Sequence, residues 1–116
     1  MPDNPNWPDE LDALVAAPDH HKLLFENDEV RVLDTLIGPG ETVPVHTHRW
    51  PSVLYMLESA DLVRCDADGT VLSDSRVDGG PPAPGTCIWT PPIPPHTVEN
   101  VGDSPIHLVN VELKRS

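Results

Sequence analysis

The chain has few basic residues and no stretch that suits a membrane. Seven Lys and Arg stand against nineteen Asp and Glu in 116 residues, a formal net charge of −12. A surface of that sign repels nucleic-acid phosphates and anionic lipid headgroups, so neither is an expected partner. No apolar run approaches the length of a membrane span. Only two cysteines are present, Cys65 and Cys87, and no basic segment followed by an apolar run heads the sequence. A cytoplasmic location is the expectation, with Cys87 a reduced, buried and inert thiol. The length suits one core and no separate substrate domain, so one site is expected.

Proline, in contrast, is plentiful. Fifteen prolines, concentrated in connections, suit many short strands with fixed corners rather than long helices. A single short helix is expected over residues 8–17, where Leu11, Leu14 and Val15 recur at helical spacing and Pro8, Asp9 and Glu10 suit its first turn. His20 and His21 follow in a connecting segment; adjacent residues in a strand point to opposite faces, so at most one could join a site, and solvated polar residues are the expectation for both. Strands are expected over 22–26 and 29–37 about the turn Asn27-Asp28, then over 42–48, 53–58, 61–66, 70–75, 86–90, 97–101 and 106–113. Arg31 reads as a surface arginine, with reach to a ligand as the alternative. His107 alternates with Val109, Val111 and Leu113, which places it on an inner face or at the cap of a core-facing row. The chain divides into a tail and short helix, residues 1–21, and an all-β domain, residues 22–116.

The most informative stretch is Gly40-Glu41-Thr42-Val43-Pro44-Val45-His46-Thr47-His48. In an extended strand, residues two apart leave the same face, so the His46 and His48 rings can converge on one point. That arrangement suits a metal ion, although an isolated His-x-His also fits the wet face of a strand. A second such stretch is Gly85-Thr86-Cys87-Ile88-Trp89-Thr90-Pro91-Pro92-Ile93-Pro94-Pro95-His96-Thr97-Val98-Glu99-Asn100.

Together the two stretches resemble the cupin family. That family's first motif is glycine, five residues, His-x-His, three or four residues, glutamate, six residues, glycine. Gly40, His46 and His48 fall on it in register. The second motif is glycine, five residues, Pro-x-Gly, two residues, histidine, three residues, asparagine, which Gly85, Pro91, His96 and Asn100 match without a gap. The chain departs at three positions. Ser52 stands at the glutamate, Ser59 at the closing glycine and Ile93 at the glycine of Pro-x-Gly. A β-branched Ile disfavours positive φ, so the turn at Ile93 must differ.

The resemblance implies a cupin-type double-stranded β-helix, a jelly-roll barrel, with His46, His48 and His96 as metal ligands. Three neutral imidazoles bind a divalent first-row metal at nitrogen distances of about 2.1 Å. Iron, manganese, nickel, copper and zinc all accept such donors. Without a carboxylate ligand the ion keeps its full charge, which favours an anionic substrate. Ser52 is a candidate for positioning a water or substrate, with plain packing as the alternative. Arg49, Arg64 and Trp50 are candidates for orienting a ligand. The family's range includes thiol dioxygenases with three histidines and no glutamate. The functional expectation is therefore a small metal-dependent cupin, with oxygen chemistry on a small organic acid or thiol as the leading option. A metal-dependent isomerase or lyase, and a cupin that holds a small molecule without turnover, are the alternatives. Small cupins pair through edge strands, so a homodimer is expected.

Overall fold

The structure is a computed structural model that describes residues 6–114. The expected tail, apart from Asn6, lies outside the described residues. Before the first strand come a 3-10 turn (Asp9–Leu11) and a short helix, α1 (Ala13–Ala16). The strands are β1 (His21–Glu26), β2 (Val30–Ile37), β3 (Thr42–His48), β4 (Ser52–Glu58), β5 (Leu62–Asp66), β6 (Val71–Asp74), β7 (Cys87–Thr90), β8 (Ile93–Asn100) and β9 (Ile106–Leu113).

They form two antiparallel sheets in the order β1-β2-β9-β4-β7 and β3-β8-β5-β6. Apart from the β5–β6 hairpin, strands adjacent in sequence after β2 therefore alternate between the sheets, as in a jelly roll, and the expected double-stranded β-helix is observed. The inward faces meet over a cluster of Ala17, Ile37, Val43, Met56, Ala60 and Ile106. This apolar plug fills the end of the sandwich where β2 finishes and β9 begins.

The two motif glycines that open strands are needed for their backbone. Gly40 has φ of 79° and Gly85 has φ of 87°, the left-handed region that a Cβ disfavours. Asn100 secures the same end of the barrel. It is fully buried, its Nδ2 donates to the carbonyls of Ile37 and Ser104, and its Oδ1 accepts from the Gly102 amide.

Several expectations need correction. The helix over residues 8–17 is broken in two at Asp12, whose backbone is extended (φ −56°, ψ 143°). Its carboxylate instead caps α1 through the Leu14 amide at 3.1 Å. No tight corner separates Pro91 from His96, because β8 already begins at Ile93 and runs through Pro94 and Pro95. Prolines lack a ladder donor, and the β3–β8 register shifts on both sides of His46. Among the described residues no side-chain-bearing residue has positive φ, Ile93 included.

Cys87 is exposed rather than buried. It belongs to the outward face of the five-stranded sheet, as do Val109 and Tyr55 beside it in register. His107 shares that outward face. The inward residues of β9 are the other set, Ile106, Leu108, Asn110 and Glu112, so His107 neither faces the interior nor caps a core row. It bonds Asp34 of β2 at 2.7 Å instead.

Candidate metal centre

β3 and β8 lie side by side, and His46 and His96 are directly paired across them. His48 follows His46 on the inward face. The interior gathers these three rings and adds His21, the first residue of β1. The ligand atoms of His21, His46 and His48 lie within 4.8 Å of one another. His96 packs against His46 with ring centroids 4.3 Å apart and stands 5.9 Å from His48. His21 therefore needs correction: it is 5% exposed, not solvated.

Each ring is pinned through Nδ1. The His46 Nδ1 bonds the Pro44 carbonyl at 2.8 Å and the His96 Nδ1 bonds the Pro94 carbonyl at 2.8 Å, the same Pro-x-His arrangement on two neighbouring strands. The His21 Nδ1 bonds the Ala17 carbonyl at 3.0 Å, where α1 ends. The His48 Nδ1 bonds Glu112 Oε2 at 2.8 Å. Carbonyls and carboxylates only accept, so every Nδ1 is the protonated donor and every Nε2 of a neutral ring keeps its lone pair.

Three of the rings, His21, His46 and His96, are also held neutral. Burial, reinforced by His48, pushes His21 down to about 4. Burial, with His96 and His48 adding to it, pushes His46 down to about 2. For His96, burial and then His48 give about 3. Four buried rings, each oriented through Nδ1, suit a divalent first-row ion. One ion about 2.1 Å from two imidazoles holds their nitrogens at most about 4.2 Å apart, close to the spacing within the group of His21, His46 and His48, while His96 lies outside that group and packs on it through His46.

Behind His48 runs a buried charge chain that the sequence reading did not find. Glu112 is fully buried, and its second oxygen accepts from Arg31 Nε at 2.6 Å. The rest of the Arg31 guanidinium grips Asp12 with two hydrogen bonds of 2.9 and 3.0 Å. Arg31 is thus an interior residue, 5% exposed, and not a surface arginine. Burial alone would raise Glu112, but the hydrogen bond and charge of His48, together with Arg31, outweigh it and hold the carboxyl below its ordinary value. Asp12 likewise lies below its ordinary value, because Arg31 overcomes the opposing effect of burial. Through Asp12 the N-terminal segment is tied to the histidine cluster.

Ser52 is buried on β4 directly opposite Glu112, and its hydroxyl shares a 3.0 Å hydrogen bond with Thr90. Its small side chain leaves room for the Glu112 carboxylate, so a carboxylate does stand next to this position, as a partner of His48. Arg49 pairs with Asp9 at 2.6 Å, and Trp50 stacks under Arg31 with 4.9 Å from guanidinium to ring centre. Neither Arg49 nor Trp50 lines the interior cavity.

That cavity holds about 310 Å³ between the sheets. His21, His46, His48 and His96 line it, with walls of Leu54, Met56, Leu62, Ile88, Val98 and Leu108. Arg64 of β5 also lines it, as do Asp78, Gly80 and Pro82 of the loop between β6 and β7. The volume is at the low end for small-molecule pockets. No helix of the described residues is long and apolar enough to cross a membrane.

No protein-family model and no curated protein matches the sequence. Solved structures do. A cupin domain from Bordetella pertussis Tohama I aligns at 22% identity over 82% of this chain and 92% of its own, with a TM-score of 0.66. An RmlC-like cupin protein with a double-stranded β-helix, from Methanocaldococcus jannaschii, aligns at 13% identity over 80% and 77%, with a TM-score of 0.58. The polyketide cyclase RemF from Streptomyces resistomycificus aligns at 20% identity over 86% and 68%, with a TM-score of 0.57. The fold of this chain is that of the cupins.

Proposed function

We propose that this chain is a metal-dependent cupin-fold protein that acts on a small organic acid. His21, His46, His48 and His96 hold one divalent first-row ion through Nε2. The observation behind this reading is that all four Nδ1 atoms are bonded to acceptors, which leaves all four Nε2 lone pairs free. Structural packing needs no such agreement among four rings.

Four neutral donors leave the ion its double-positive charge, so when bound it supplies Lewis-acid chemistry or, for iron, oxygen activation. Iron, manganese, nickel, copper and zinc are all compatible with the donor set. The chain's own residues do the rest. The carbonyls of Pro44, Pro94 and Ala17 and the Glu112 carboxylate fix the rings, and the apolar walls exclude water from the ligand. A fourth imidazole leaves one fewer open coordination position than three would. That favours a lyase or isomerase type of reaction over oxygen chemistry with a chelated substrate.

Cobalt(II) titration of metal-free protein tests the centre, because its visible absorption reports imidazole ligation. The expected curve saturates at a single equivalent and weakens in His21→Ala. Oxygen uptake by iron-loaded protein with thiols and carboxylates then separates the oxygenase option from the others, and ligand binding without turnover identifies a binding module.

We also propose a homodimer, formed through a sheet face. Phe25, Val32, Val111, Val53 and Trp89 are in register across all five strands, on the outward face. Phe25 and Trp89 are more than half exposed. An uncharged row of this kind on a chain of net charge −12 suits a second copy, because little like charge is brought together there.

A further inference from the structure

The geometry points to an organic carboxylate with an apolar body as the ligand of the cavity, anchored by Arg64; this rests on the proposed function and names its ligand class. Arg64 lies on the cavity wall, and its Nε is buried without a hydrogen-bond partner. Among the described residues, the other arginines are all paired. Arg31 bonds Asp12 and Glu112, Arg49 bonds Asp9, and Arg76 bonds Asp74. Among the described residues Arg64 has no carboxylate at ion-pair distance. Nineteen acidic residues offered the chain many partners, yet among the described residues the arginine without an ion pair is the one that lines the cavity.

An unpaired cation facing a largely apolar interior opposes folding, since burial disfavours its charge. The effect is visible in Arg64 itself, which burial holds below its ordinary value, with no opposing contribution from an acid. Asp78, which also lines the cavity, is exposed and its carboxylate accepts from the Asp74 amide. A planar guanidinium with free donors matches a carboxylate through two parallel hydrogen bonds.

The register fixes where such a group would sit. Arg64 pairs with Val98 across β5 and β8, and Val98 is two residues from His96 on the same inward face. Diagonal neighbours of this kind are about 7–8 Å apart at the backbone. A carboxylate on Arg64 therefore leaves the adjoining part of the ligand beside the histidine cluster. Leu62, Val98 and Leu108 then surround a hydrocarbon body, which disfavours small dianions.

The test uses benzoate, phenylacetate and isovalerate beside benzamide, phenylacetamide and isovaleramide. Binding is followed by calorimetry and ligand-observed NMR on metal-loaded protein. The wild type is expected to prefer at least one carboxylate over its amide by roughly tenfold or more. Arg64→Met should abolish that preference, Arg64→Lys should keep part of it, and both should retain wild-type metal content. Ligand-free Arg64→Met is also expected to melt at a higher temperature than the wild type, the opposite of what loss of a structural arginine produces. Overturning results are a wild type without preference for carboxylates, including one that binds none of the six, or a preference that persists in Arg64→Met. A protein that takes up no metal but shows an Arg64-dependent preference would defeat the four-imidazole reading and leave the anchor standing. Metal-loaded protein with no preference would defeat the anchor alone.

Discussion

Glu112 Oε2 accepts the Nδ1 proton of His48 at 2.8 Å, deep inside the barrel and 64 residues away in sequence. The bond fixes which His48 nitrogen is free and makes the ring a better donor to a cation. Glu112→Gln keeps an acceptor for His48 but removes the charge that serves both His48 and Arg31. Metal affinity should fall on the order of 10–100-fold. Glu112→Ala also leaves Arg31 half-paired and should cost about 3–5 kcal/mol of stability. Competition with a chelator and urea unfolding measure the two effects separately.

The two neighbouring histidines of the N-terminal segment should behave differently. His21→Ala removes one of four rings and should weaken metal binding by more than about 100-fold, beyond the loss from disturbing a partner of a ligand. His20 bonds the Leu36 carbonyl outside the cluster, so His20→Ala should leave metal affinity at the wild-type value. Equal losses in both variants would remove His21 from the centre.

Acid should destabilise the metal-free protein earlier than its carboxylates alone require. His21, His46 and His96 titrate near 4, 2 and 3 in the folded chain, against 6.5 when unfolded. Below 6.5 the unfolded state takes up protons that the folded state refuses. The stability due to the neutral rings is therefore complete above about pH 6.5 and is lost as pH falls towards these folded values. Melting temperature should drop between pH 7 and 4, with a shallower slope in His46→Gln. Parallel slopes for the two proteins would contradict the assignment.

The outward row predicts assembly. Val111 is central in it, flanked by Val32 and Val53, and a lysine there would place a charge in the middle of the interface. Sedimentation equilibrium should give a dimer for the wild type and a 12.7 kDa species for Val111→Lys. A monomeric wild type at micromolar concentration would refute the pairing.

Sequence periodicity located most strands to within a residue or two, and the two glycine-led motifs singled out His46, His48 and His96, whose rings the fold brings near one another. His21 escaped because the expected strand began one residue late, at Lys22. Starting it at His21 puts that ring on the inward side, with Leu23. The Asp12–Arg31–Glu112 chain was hidden for a different reason. Alternation tells two faces apart but does not say which one is inside when the outer face is apolar too. On β9, Val109, Val111 and Leu113 look like core residues and are outward, while Asn110 and Glu112 look solvated and are buried. The outer row that suits a second subunit is thus what obscured the inner one. Arg64 was legible as one of three candidates for orienting a ligand, beside Arg49 and Trp50; its lack of a partner, which sets it apart from Arg49, is a property of the folded chain.

The most direct test of the central claim is elemental analysis of purified, untagged protein beside a His46→Ala, His48→Ala double variant. The four-imidazole centre predicts near-stoichiometric transition metal in the wild type and its loss in the variant, the element found separating oxygen activation by iron from Lewis-acid chemistry by zinc. A wild type that is empty, and stays empty after exposure to iron, manganese, nickel, copper and zinc, would contradict it.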